Sequence, residues 1–354
     1  MASTSITSLA LALFILTLIA VPTVISLQTA FAQPITDEDN LTQATTTSNT
    51  TASASGIELS AEPIYQEEQI SISDTPINDT HIQSIVTGNG TINLPNSTET
   101  INNINNGSYI ISTKDGSVIG KEVWSTEDET ENVTTTFYGM IRFGMEEGTS
   151  EAIVIAIVDT NSTGMLAPLD GMILAGQVEF RPDESRLVTL WEWQSGIPLP
   201  TGNDTTTPSS GLELSAQPVW VEHAAITGVS SINEAHSSVT FSGNGTLTLP
   251  NTTQTINTTS NGSALVSLAT ESGQGKMTIR TQNGMEETAT VTFYEIDRHP
   301  DTTTGESRGI VIGVINTNAT SGMLAPLNGV ILVGINESQI TTGEGLLTFW
   351  EWKS

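Results

Sequence analysis

The sequence predicts an all-β protein: two tandem copies of an antiparallel β-barrel, each of about eight to ten short strands. Three observations predict it. Apolar and polar residues alternate with period two through most of the chain. Gly, Asn and Pro clusters interrupt that alternation at roughly 8–15-residue spacing. Long stretches also occur twice: Gly56-Ile-Glu-Leu-Ser-Ala-Glu-Pro63 matches Gly211-Leu-Glu-Leu-Ser-Ala-Gln-Pro218, Gly88-Asn-Gly-Thr-Ile-Asn-Leu-Pro95 matches Gly243-Asn-Gly-Thr-Leu-Thr-Leu-Pro250, and Phe137-Tyr138 matches Phe293-Tyr294. A repeat of this length is a duplicated domain rather than a solenoid unit. Closure into a barrel removes free sheet edges; a two-sheet β-sandwich is the alternative.

Residues 1–32 read as a secretory signal peptide. An apolar run from Leu9 to Leu27 ends at Ala30-Phe31-Ala32, a small-x-small cleavage pattern. No Lys or Arg precedes Lys114, and an uncleaved anchor is the alternative, because the run is long enough to span a bilayer. Residues 33–55 are rich in Thr, Ser and Asn without hydrophobic period, as in a disordered spacer. The first repeat is 56–197, a Pro/Gly/Thr linker covers 198–210, and the second repeat is 211–354.

In the second repeat the alternation places strands at Leu212 to Ser215, Val219 to Glu222, Ser238 to Phe241, Gly245 to Leu249, Ala264 to Ala269, Lys276 to Thr281, Thr288 to Ile296, Gly309 to Val314, Val330 to Gly334 and Leu346 to Trp352. One strand of each copy breaks the pattern. Ile153 to Val158 and Ile310 to Ile315 are apolar on both faces. A strand with water outside would alternate, so their outer faces are expected to be covered, by the other repeat, by another copy of the protein or by a loop of the same domain. Each is followed by a long loop, Asn161-Ser-Thr-Gly-Met-Leu-Ala-Pro-Leu169 and Asn318-Ala-Thr-Ser-Gly-Met-Leu-Ala-Pro-Leu327. Met165, Leu166, Met323 and Leu324 there form either an apolar lip for a ligand or a plug that closes the barrel end. The run from Asp159 through Asn161 and Thr163 has calcium-loop spacing, but Asn316 replaces the aspartate in the second copy and a bidentate acid is missing, so no metal is expected.

Each repeat closes on Trp-Glu-Trp. Trp191 with Trp193, and Trp350 with Trp352, put both rings of a pair on one strand face, as core or as a ligand-lining platform. Glu192 and Glu351 then face the other way; pointing inward, they would meet Lys121 or Lys276 as an acid/base pair. His81 and His236 occupy equivalent positions and read as solvated turn residues.

Acidic residues outnumber basic ones 39 to 10, for a net charge of −29. That excludes nucleic acid and anionic membrane as partners, since both need a basic patch. There is no cysteine, so the fold stands on its core alone. No catalytic residue set, phosphate loop, nucleophile elbow or cofactor motif is present. Asn-x-Ser/Thr sequons are dense: Asn40, Asn49, Asn78, Asn89, Asn96, Asn106, Asn132, Asn161, Asn203, Asn244, Asn251, Asn257, Asn261, Asn318 and Asn336, several at matching places in both repeats, as on a glycosylated surface. The overall pattern resembles small antiparallel barrels of the lipocalin kind in architecture alone.

These features predict a secreted or cell-surface glycoprotein with no membrane span after signal cleavage. The first expectation is a noncatalytic contact protein that self-associates or binds other surface proteins. The alternatives are a binding module for a small apolar ligand or glycan in the barrel mouth, and a barrel-scaffold isomerase.

Overall fold

A computed structural model describes residues 57–95, 97–143, 150–194, 212–250, 252–282, 287–298, 304–317 and 321–353. The signal peptide, the spacer, the linker, and Asn40, Asn49, Asn96, Asn203, Asn251 and Asn318 lie outside the described residues. Among the described residues no helix is long and apolar enough to cross a membrane.

The chain forms two antiparallel eight-stranded closed barrels in tandem. The first comprises β1 Tyr65–Asn78, β2 His81–Asn93, β3 Thr100–Ser112, β4 Ser117–Thr126, β5 Asn132–Arg142, β6 Ser150–Asp159, β7 Ile173–Phe180 and β8 Ser185–Glu192. The second comprises β9 Trp220–Ser231, β10 His236–Thr248, β11 Thr255–Ser267, β12 Ser272–Thr281, β13 Thr288–Arg298, β14 Glu306–Asn316, β15 Ile331–Gln339 and β16 Glu344–Glu351. Neighbouring strands pair in sequence order, and β1 closes on β8 as β9 closes on β16.

Two expected boundaries move. Ser238 to Phe241 and Gly245 to Leu249 are one strand, β10, because Gly243-Asn244-Gly245 is not a turn. These glycines lie beside large inward side chains: a Cβ on Gly243 would stand 2.5 Å from Glu222 Oε1, and one on Gly88 would stand 2.1 Å from Glu67 Oε1. Leu212 to Ser215 contributes only an isolated bridge, Leu214 to Trp352, mirrored by Leu59 to Trp193.

Strand β6 sends Ala152, Val154, Ala156 and Val158 into its lumen and Ile153 and Ile155 outward, and all six are buried. What covers the outer face is the other repeat. Tyr138, Met140, Ile153, Ile155, Ile173 and Trp193 share one core cluster with Tyr294, Ile296, Ile310, Ile312, Ile331 and Trp352. The contacts are reciprocal, as in a twofold interface. Tyr138 stacks on Tyr294 with centroids 5.1 Å apart. Arg142 Nη2 donates to the Trp352 carbonyl at 2.7 Å, and Arg298 Nη2 donates to the Trp193 carbonyl at 2.6 Å. Each guanidinium also lies over the same indole, at 4.6 and 5.4 Å. At roughly 1.5–3 kcal/mol per large buried aliphatic side chain, this face accounts for the doubly apolar strands.

The long loops form plugs. Ala167–Leu169 and Ala325–Leu327 are single 3-10 turns, and Leu166, Leu169, Leu324 and Leu327 are buried in the barrel ends. Glu131 accepts from the backbone N–H of Met165 at 3.0 Å and of Leu166 at 2.9 Å; Glu287 does the same for Met323 at 3.0 Å and Leu324 at 2.8 Å. The glycine before each methionine follows from this. A Cβ on Gly164 or Gly322 would fall 2.1 or 2.6 Å from that carboxylate.

Candidate functional site

Inward positions of the first barrel are unusually polar at one level. The alternation of β1 points Tyr65, Glu67 and Gln69 into the lumen, where β3 adds Asn103, Asn105 and Tyr109 and β4 adds Glu122 and Trp124; all are buried. They form one network. Tyr65 Oη donates to Glu67 Oε2 at 2.6 Å, and Asn105 Nδ2 donates to the same oxygen at 2.7 Å. Gln69 Nε2 bridges the two acids, donating to Glu67 Oε2 at 3.0 Å and to Glu122 Oε1. Tyr109 Oη also donates to Glu122 Oε1, and Trp124 Nε1 donates to Glu122 Oε2 at 2.8 Å.

Above this network lies a cavity of about 50 Å³, where one water needs roughly 10–15 Å³ on the same kind of measure. Its walls are apolar: Val118, Phe137, Val154, Val178, Val188 and Leu190. Its polar edge is Gln69, Tyr109, Glu122 and Arg186. Arg186 is held at the hairpin end, where Nη2 donates to Ser71 Oγ at 2.9 Å and to Ser84 Oγ at 3.2 Å. Its guanidinium lies 5.3 Å from the Phe180 ring centroid and 6.0 Å from that of Tyr109. The other end is closed by the Leu166–Leu169 plug.

Burial dominates the electrostatics. It pushes Glu122 up to about 7 against the pull of its donors and of Arg186. Burial first, and then the Glu122 charge, hold Glu67 well above the usual carboxylate range. The two carboxyls thus interact, and the shared Gln69 amide lies between them.

The second barrel shows what the first has that is special. Register pairs Tyr65 with Trp220, Glu67 with Glu222, Gln69 with Ala224, Tyr109 with Ala264, Glu122 with Met277, Arg186 with Gly345 and Leu190 with Phe349. Trp220 stacks on Phe349 at 5.1 Å, and Phe241 meets Phe293 edge-on at 6.0 Å. Aromatic rings thus occupy lumen positions that hold the smaller Leu190 and Val86 in the first barrel. Glu222 survives, accepting from Ser260 Oγ at 2.7 Å, and burial raises it to about 7.

Glu222 gives a direct test of linkage. The unfolded chain releases this proton near 4.5, the folded chain near 7. Between those values the folded state binds more protons, so stability falls as pH rises through about 7. Glu222→Gln removes that loss. Chemical denaturation should find the variant more stable than the parent by up to about 3 kcal/mol at pH 9 and equal to it at pH 4. A pH-independent difference contradicts the assignment.

The residues singled out by sequence lie elsewhere. Trp191, Trp193, Trp350 and Trp352 are buried on the outer faces between the barrels and line no lumen. Leu166 and Leu324 are plug core, Met165 is 48% exposed, and Met323 is half-buried. Lys121 and Lys276 face outward and exposed, so the proposed Lys–Glu pairs with Glu192 and Glu351 do not form; Glu351 instead meets Lys353 at 2.5 Å. His81 and His236 sit beside the β1–β2 and β9–β10 turns, each near an asparagine Oδ1 at 3.1 and 3.2 Å. Among the sequons, Asn78, Asn89, Asn106, Asn132, Asn161, Asn244, Asn257 and Asn261 are exposed. Asn336 is half-buried, and its Nδ2 donates to Glu295 at 2.7 Å, so a glycan there would compete with this contact for the amide nitrogen.

Compared with known protein families, with curated proteins and with solved structures, the chain matches none.

Proposed function

We propose that the first barrel binds a small, mainly apolar molecule carrying one oxygen function, and that the second barrel is its structural partner. The observation that carries this reading is the cavity, apolar along its walls and edged by Arg186, Tyr109, Gln69 and Glu122. Pockets of this make-up bind by burying an apolar body and orienting it with a few polar groups. Arg186 bonds Ser71 and Ser84 through Nη2, which leaves Nη1 and Nε for a carbonyl or hydroxyl oxygen. A net charge of −29 favours neutral ligands over anions.

In this reading the protein works outside the cell. The leader-like N-terminus supports that, as do the exposed sequons, which are proposed to carry sugars. A contact protein assembling through its doubly apolar strands loses its motive, because the other barrel covers those strands.

Calorimetry with cyclohexanone tests the proposal. One site per chain is expected, and Arg186→Met should weaken binding by about tenfold to a hundredfold, as for a lost hydrogen bond to a charged group. No saturable heat, or binding indifferent to Arg186, contradicts it.

A further inference from the structure

The cavity holds more than a binding site needs. Orienting a neutral ligand takes a donor, which Arg186 supplies. A buried acid beside it costs stability unless it is used, and here that acid is fixed at the cavity edge by Gln69, Tyr109 and Trp124. The second copy carries Met277 where the first carries this acid, while both keep the deeper acid, Glu67 and Glu222.

We propose that the first barrel catalyses proton transfer at carbon in a bound carbonyl compound, with Glu122 as the base and Arg186 holding the carbonyl oxygen. The inference rests on the binding reading above. In the step, the C–H bond beside the carbonyl breaks and its proton passes to the Glu122 carboxylate. The electron pair enters the enolate, whose oxygen charge lies on the Arg186 guanidinium. Return of the proton to the same carbon restores the ketone; return to the far carbon of a conjugated system shifts the double bond. Atoms balance and nothing is oxidised or reduced, so the reaction class is enolisation or double-bond isomerisation. The apolar walls keep water from competing for the enolate. Glu67 lies beneath Gln69, which donates to both acids and separates it from the cavity edge.

Glu122 has the strength this needs, about 7, because a base works best when its pKa lies near the operating pH. The groups facing it are Tyr65 and Glu67 from β1, Tyr109 from β3 and Arg186 from β8, with Asp74 acting on Arg186. Of these, Glu122 is the acid that lines the cavity.

Cyclohexanone in D2O, followed by proton NMR with the full chain, tests the activity. The protein should accelerate loss of the α-proton signal, with a rate that rises through about pH 7 and then levels off. Glu122→Gln should lower that rate by about 10²–10⁴-fold while cyclohexanone still binds, and Glu222→Gln should leave it unchanged. The wild-type pH profile needs no variant to fold. Bound cyclohexanone exchanging only at the buffer rate, a profile without the inflexion, or exchange that survives Glu122→Gln each overturns the activity and leaves binding standing. No binding of cyclohexanone overturns both.

Discussion

Trp352→Ala is expected to destabilise the protein by about 3–5 kcal/mol, the range for removing a fully buried large aromatic side chain. The ring is 1% exposed, lies between the two barrels and carries the Arg142 guanidinium on its face at 4.6 Å. Truncation leaves a cavity in the interface and removes the cation–π partner, while Arg142 can still reach the Trp352 backbone carbonyl. By the reciprocity of the interface, Trp193→Ala should cost a similar amount. Urea denaturation measures both. A loss below about 1 kcal/mol, the scale of a surface substitution, would mean that this interface does not hold the barrels together in solution.

Leu190→Phe is expected to abolish ligand binding without unfolding the protein. Leu190 lines the cavity and occupies the register position of Phe349, whose ring stacks on Trp220 in the second barrel. The larger ring should therefore enter the empty space. Because a cavity is available, the overpacking cost should stay within about 1–3 kcal/mol, and saturable binding of cyclohexanone should disappear, as for a ligand denied its apolar pocket. Unchanged affinity in calorimetry would place the ligand somewhere other than this lumen.

The fold was legible because its signals are local and doubled. Period-two alternation marked the strands, and the matched segments marked the duplication. The doubly apolar β6 and β14 announced a covered outer face, although sequence alone did not say that the other repeat covers it. The Gly243–Gly245 segment misled because an Asn-Gly pair normally signals a turn; here the glycines make room for Glu222 and for backbone. The role of Glu131 and Glu287 as plug anchors was hidden for a related reason. Glu287 lies in a Gly-Met-Glu-Glu segment that resembles one ending at Glu147, and the true equivalent is Glu131, which stands six residues before Phe137-Tyr138 as Glu287 stands before Phe293-Tyr294.

The candidate site was not legible, and the cause is physical. Tyr65, Glu67, Gln69, Tyr109, Glu122 and Arg186 come from four strands spread over more than a hundred residues, so no motif spacing links them. Trp-Glu-Trp drew attention through its apolar weight, and that weight serves the interface. A usable signal did exist in the comparison of the two copies. At inward positions the first repeat carries Tyr109, Glu122 and Arg186 where the second carries Ala264, Met277 and Gly345. Such one-sided polarity on a core face is costly without a purpose. Reading it required knowing which face was inward, which the closed barrel supplies.

The central claim is that one lumen is a binding site and its twin is not. Methyl-resolved NMR of the whole chain, titrated with cyclohexanone, tests it most directly. The account predicts shifts at Val118, Val154, Val178, Val188 and Leu190, which line the first cavity, and none at Val311, Leu332 or Leu347 in the second core. Shifts confined to the second barrel or to the exposed Ile70, Ile72 and Ile110, or no shifts at all, would contradict it.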